Sequence, residues 1–262
     1  MEFELLKSDL LKSFEKKVTV SVSRCFKDLS ETGFTIQDFK HYLLAGAVAS
    51  SQIEGSTLDL DSFFVSKANH KNTREVREIE NLVKAYQYAK RYGLTQKGLL
   101  TCLEILSGSF THITKGQKGR YRKTQVGIRG WQGLVYMAIE PENVPDEMNK
   151  LFADISVLLE KNLTLKQVLY YSAYIHFIFA KIHPFADGNG RAARLLEKWF
   201  LAAHLGTAIW SIPSEKYYYD NRAAYYNGLN IGIDYYETLK QLDRILPFLS
   251  LLPKAVCYKP VD

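Results

Sequence analysis

The chain has 262 residues, 47% of them hydrophobic and 24% charged, with a formal charge of +6 at neutral pH. That length and apolar content support a packed core and exclude the disordered, collagen-like and low-complexity classes. Three cysteines, Cys25, Cys102 and Cys257, form no CxxC pair, which excludes a zinc ribbon, indicates no disulfide framework and fits a reducing compartment.

The opening stretch MEFELLKSDLLKSFEKK mixes charges with leucines at helical spacing and lacks the apolar run of a secretory signal. It predicts an ordinary amphipathic helix. Residues 35 to 55 carry Thr35 as N-cap with Asp38 three residues on, and stop at Gly55, where a left-handed residue would sit. Residues 72 to 93 repeat the design, with Asn72 as N-cap, Glu75 three residues on, an apolar stripe of Val76, Ile79, Val83 and Tyr86, and Gly93 as the stop. Further helices are predicted over 95 to 108, 145 to 160, 164 to 182, 190 to 205, 215 to 232 and 235 to 251.

Two segments depart from that period. KGQKGRYRK (115 to 123) places five basic residues in nine and reads as a solvated basic loop. No helix-turn-helix, zinc-finger or RNP signature accompanies it, so a nucleic-acid partner is not expected. QVGIRGWQGLVYMAI (125 to 139) sets β-branched and aromatic residues on either side of a Gly-rich turn, Arg129 to Gly133, and predicts a β-hairpin. The most apolar run, YYSAYIHFIFA (170 to 180), is too short to span a bilayer. These readings give an all-α class with one inserted hairpin, a single domain over 1 to 262 and a soluble, cytoplasmic protein without a membrane partner.

HPFADGNGRAAR (183 to 194) concentrates the chemistry. Pro184 ends the preceding helix and leaves His183 at the mouth of a loop. Asp187, Gly188, Asn189 and Gly190 then lead into a new helix, whose free amides and positive dipole end suit a phosphate. Arg191 and Arg194, three apart on one face, can hold further phosphate oxygens, and two cations at a helix start are disfavoured without an anion. Asp187 suits Mg²⁺ among phosphates, and His183 suits a general base, so the reaction class is phosphoryl or nucleotidyl transfer. An EF-hand fails at Arg191 and Lys198, no Walker A or GxSxG pattern is present, and His176 reads as a hydrogen-bonded core histidine. Spacing alone weighs a plain turn and a phosphate site equally.

His183, Phe185, Asp187, Gly188, Asn189, Gly190, Arg191 and Arg194 together match the HxFx[DE]GNGRxxR signature, and the chain resembles the Fic domain proteins from about residue 40 to 250. Eight fixed positions give a chance match of about one in 10¹⁰ per starting point. The resemblance implies a Fic-type helical bundle, with N-terminal helices over 1 to 70 and a catalytic core over 71 to 250, and a protein adenylyltransferase moving AMP from Mg-ATP to a Ser, Thr or Tyr hydroxyl. It implies His183 as base, Asp187 on Mg²⁺, Gly188, Asn189 and Gly190 as the anion hole, Arg191 and Arg194 on the outer phosphates, Phe185 as a packing residue and Tyr226 near the adenine. Hairpin 125 to 139 corresponds to the family's flap, which pairs main chain with an unknown target protein; self-modification is a further expectation, and a homodimer stays open. Ser50, Glu54 and Gly55 fit the family's [ST]xxxE[GN] inhibitory motif, in which Glu54 would pair with Arg194. The alternatives are removal of AMP from a modified protein and a nucleotide-sensing interaction module.

Overall fold

A computed structural model describes residues 3 to 260, apart from 32, 34, 131 and 132. The amphipathic stretch at the N-terminus is helical only as α1 (Leu11–Lys17). Upstream, the amides of Glu4, Leu5 and Leu6 all donate to the Asp154 carboxylate at 2.7 to 3.0 Å, which turns the chain out of helical geometry. Two helices have no counterpart in the sequence reading, α2 (Val20–Glu31) and the short α4 (Leu60–Ala68). Helix α3 (Ile36–Ile53) starts at the capping box of Thr35 and Asp38 and stops at Glu54, followed by Gly55 with φ +97°. Only glycine takes that left-handed backbone without strain. Helix α5 (Arg74–Arg91) is capped by Thr73, one residue later than the expected Asn72, because the Thr73 hydroxyl accepts from the Val76 amide.

Helix α6 (Gln96–Leu106) leads through the basic loop to the hairpin. Strands β1 (Gly127–Gly130) and β2 (Gly133–Met137) pair antiparallel, with Ile128 opposite Tyr136. Of the expected turn Arg129 to Gly133, Trp131 and Gln132 lie outside the described residues. The far edge of β2 is taken by the segment at Ile233, whose carbonyl accepts from the Met137 amide at 2.9 Å.

Helix α7 (Val144–Leu159) precedes the central pair, α8 (Leu165–Ile182) and α9 (Asn189–Leu205), which pack on each other with nearly every α8 side chain buried. That burial fits its all-round apolar sequence. The expected helix 215 to 232 is broken into α10 (Ser214–Asp220) and α11 (Arg222–Leu229). Asn221 divides them, turning its side-chain amide onto the Tyr217 carbonyl at 2.9 Å. The expected helix 235 to 251 is likewise divided into α12 (Tyr235–Lys240), α13 (Leu246–Leu249) and α14 (Leu251–Val256), with Pro247 in the first turn of α13. Cys25 and Cys257, expected to be free, form a disulfide between α2 and the end of α14, while Cys102 is free and buried. Sequence separation hid the pair, since 232 residues lie between partners that the fold brings to a Cα separation of 5.4 Å. Among the described residues no helix is long and apolar enough to cross a membrane.

Candidate active site

The site lies where α8 ends and α9 begins, two helices whose side chains are mostly buried. His183 caps α8 in the left-handed region, at φ +52° and ψ +58°. A non-glycine residue held there stores of order 1 to 3 kcal/mol and persists only when its surroundings hold it. Arg122 supplies the hold. Its guanidinium donates to the carbonyls of His183 (2.8 Å), Thr124 (3.0 Å), Ile182 (3.4 Å) and Ile139, and its amide donates to the Pro184 carbonyl at 2.9 Å. Only 3% of Arg122 is exposed, so this member of the basic loop is not solvated as its neighbours are. Burial pulls its pKa down while Tyr136, Glu140 and Glu142 oppose that.

Imidazole Nδ1 of His183 faces the Ala180 carbonyl at 3.3 Å, which assigns the proton to Nδ1 and leaves Nε2 as the acceptor. Burial pushes the His183 pKa down to about 4, helped by the Arg122 charge and opposed by the Ala180 bond, Glu54 and Asp187. The ring is therefore neutral at pH 7.

Between the two helices the loop is braced from within. Phe185 is buried against Tyr121 and Phe179. Asn189 commits both its side-chain nitrogen and its side-chain oxygen to the Phe185 backbone, at 2.8 and 2.9 Å. Gly188 turns the chain at φ +88°, with Leu106 close behind it. Helix α9 begins without a side-chain cap and without an acid in its first turn.

What fills that start is Glu54. From the C-terminal end of α3 its carboxylate pairs with Arg194 Nη2 at 2.8 Å, and a Cβ on Gly190 would overlap its Oε1. Arg194 is 1% exposed and Glu54 32%. Ser50 completes the hold from α3, its hydroxyl accepting from Arg194 Nε at 2.8 Å and its carbonyl from Nη2 at 2.9 Å. Tyr226, 41% exposed, donates to the Ile53 carbonyl at 2.8 Å and so stands beside Glu54.

Three partners escaped the sequence reading. Glu78 of α5 holds Arg191 at 3.0 Å and also binds Arg74 at 2.6 Å. His112 meets the Asp187 carboxylate at 2.8 Å. Phe110 lies under both neighbours of that carboxylate, stacked on His112 and 4.3 Å from the Arg191 guanidinium. No spacing rule reaches across these separations, and the i,i+4 pair Arg74 and Glu78 was the only local hint.

The Fic/DOC family model matches residues 96–201. The match spans α6 to most of α9, the stretch that holds His183 to Arg194. Curated relatives include the protein adenylyltransferase Fic of Nematostella vectensis, 31% identical over 155 residues that cover 56% of this chain and 34% of that protein. The protein of the same name from Culex quinquefasciatus is 29% identical over 63% of this chain and 34% of its own length. The chain thus spans about a third of these relatives. Among solved structures, a Fic family protein from Desulfovibrio desulfuricans superimposes with a TM-score of 0.72 at 24% identity, over 95% of this chain and 72% of that one. Fic-1 of C. elegans (residues 134 to 508) gives a TM-score of 0.67 at 20% identity, over 95% of this chain and 71% of that one. These superpositions agree on a Fic helical fold with a small hairpin.

Proposed function

We propose that the protein is a self-inhibited adenylyltransferase that moves AMP from Mg-ATP to a hydroxyl of a target protein. The observation that carries this is the Glu54 carboxylate lodged over Gly190 against Arg194. A helix start that lacks a cap and takes up a carboxylate from another helix is an anion site, and the chain's own acid stands in for a phosphate group. The matched relatives named protein adenylyltransferase support the nucleotidyl branch of the chemistry.

On this reading the target hydroxyl attacks the α-phosphorus while its proton passes to His183 Nε2. The bond from the α-phosphorus to the bridging oxygen breaks, and pyrophosphate leaves. Backbone amides from Gly188 to Gly190 receive the phosphate oxygens, Arg191 and Arg194 the outer phosphates, and Tyr226 lies by the base. Asp187 suits Mg²⁺, which binds through one or two carboxylates plus substrate phosphates and would neutralise their charge. Among the described residues no cluster of three His, Cys, Asp or Glu could hold a metal alone, so the phosphates would complete its shell. The target segment adds to the outer edge of β1, since β2 has β1 on one side and, at Met137, meets the segment at Ile233 on the other.

With Mg²⁺ and ATP, label at the α-phosphate should appear on protein, including the enzyme itself, whereas label at the γ-phosphate should not. His183→Ala should reduce transfer by about 10² to 10⁴-fold. Transfer of γ-label would replace adenylylation by phosphorylation, and undiminished transfer by His183→Ala would remove the base. The lowered pKa of His183 sets the acid limb of the pH profile: protonation disables the base only as pH falls through about 4. The His183-dependent part of kcat/KM should therefore be flat from about pH 5 to 8. A limb centred near the ordinary histidine value, about 6.5, would contradict it.

A further inference from the structure

Histidine and glutamate are rarely buried without solvent unless a hydrogen-bonding role holds them there. His176 of α8 and Glu197 of α9 are both fully buried, and their side chains meet at 2.8 Å. Packing alone does not ask for this pair, since apolar side chains of similar volume fill such a space at no desolvation cost. The remaining ring nitrogen of His176 faces the Tyr225 hydroxyl at 3.0 Å, and that hydroxyl lies 3.1 Å from Arg194 Nη1.

Counting hydrogens assigns the direction of the chain. Arg194 can only donate, so Tyr225 accepts from it and turns its own hydrogen to His176 Nε2. The histidine proton then sits on Nδ1 and is donated to Glu197, whose oxygens also accept from Tyr218 at 2.9 and 3.0 Å. Every hydrogen in the series has a partner in this arrangement. The other hydrogen bonds of Arg194 run to Ser50 and Glu54, on α3 and its C-cap. Among the described residues, Tyr225 is thus the contact that fixes the guanidinium independently of the inhibitory helix. When Glu54 withdraws, the guanidinium keeps Ser50 on its Nε and Nη2 side and Tyr225 on its Nη1 side, and of the two only Tyr225 does not belong to α3.

We infer that His176 and Glu197 act through Tyr225 as positioning residues for Arg194, aiming its guanidinium at the terminal phosphate and so setting the preference for a nucleoside triphosphate over a diphosphate. This rests on the reading of Arg194 as the holder of the outer phosphate. Neither residue touches the nucleotide, so their effect is confined to the phosphate that Arg194 reaches.

The test uses the full chain carrying Glu54→Gly, so that access does not depend on the inhibitory contact. Calorimetric affinities are measured with Mg²⁺ and the α,β-methylene analogues of ATP and ADP. Tyr225→Phe should weaken the triphosphate analogue roughly 5- to 10-fold, less than the full worth of one hydrogen bond to a charged group because Ser50 still holds Nε and Nη2, and change the diphosphate analogue less than about twofold. Glu197→Gln should move the same ratio in the same direction. Equal losses for both nucleotides, or an unchanged ratio, would overturn the positioning role. If Glu197→Gln does not fold, Tyr225→Phe decides alone, because it keeps the ring among its aromatic neighbours. A parent that binds neither analogue removes the nucleotide site itself, whereas a parent that prefers the triphosphate with an unaltered Tyr225→Phe ratio removes only this inference.

Discussion

Glu54→Gly should raise adenylyl transfer roughly 10- to 100-fold over the unaltered chain. The estimate comes from the bond that is lost: a hydrogen bond to a charged group contributes about 1.5 to 3 kcal/mol, and on the proposed reading a nucleotide must displace this one before its own phosphates can meet Arg194. The upper end is discounted because Glu54 is about a third exposed and partly screened. Space adds to charge here, since the carboxylate fills the volume just above Gly190 that a phosphate would take. Glu54→Gln, which keeps an oxygen in the same place, should release less activity than Glu54→Gly. Thermal melting supplies the second readout: ATP with Mg²⁺ should raise the Tm of Glu54→Gly more than that of the unaltered chain, because ligand binding stabilises by mass action. Equal labelling by the two proteins would end the inhibitory assignment.

Arg122→Ala should cost stability and activity together. Four main-chain carbonyls share this one buried guanidinium, and they belong to three places that must stay in register: the end of α8, the approach to β1 and the exit from β2. Leaving them without a donor should cost about 3 kcal/mol after relaxation and entry of water, a fall in Tm of roughly 6 to 12 °C for a chain of this size. Because the His183 carbonyl is one of the four, the base loses its fixed position, and kcat/KM measured on the Glu54→Gly background should fall about 100-fold. Arg122→Lys should recover little of either, as an ammonium cannot span the planar fork of the guanidinium. A lysine variant with unaltered Tm and activity would show that charge, not shape, matters at this position.

Periodicity carried the central helices because α8 and α9 are long and apolar, and α8 opens on the capping box of Thr164 and Gln167. Thr35 and Gly55 were equally readable, since capping and left-handed termination are local chemistry. The N-terminal helix was overestimated because its competitor, Asp154, lies 148 residues or more away. The same reason explains Arg122. Its sequence neighbours Lys115, Lys118, Arg120 and Lys123 are exposed or nearly so, and nothing local distinguishes the one arginine that folds inward. His176 was legible as a satisfied core histidine, but its two partners sit on α9 and α11 and become visible only once those helices pack. The motif residues 183 to 194 are a contiguous signature and stand together at one loop; the groups that hold them, Glu54, Glu78, His112 and Tyr225, come from elsewhere in the chain.

Arg194 binds both the hydroxyl and the carbonyl of Ser50 as well as the carboxylate of Glu54. Two of these contacts clasp the body of α3, and only the third involves the carboxylate that lies over Gly190. Withdrawal of Glu54 therefore requires a turn about side-chain bonds, with the helix itself left in place by Ser50 and by its capping box at Thr35. Rotations of a part-exposed side chain take picoseconds to nanoseconds, against microseconds to milliseconds for displacement of a helix. On the proposed reading the inhibition is a fast equilibrium, contested anew at each nucleotide encounter, and it leaves the protein with no memory of having been switched.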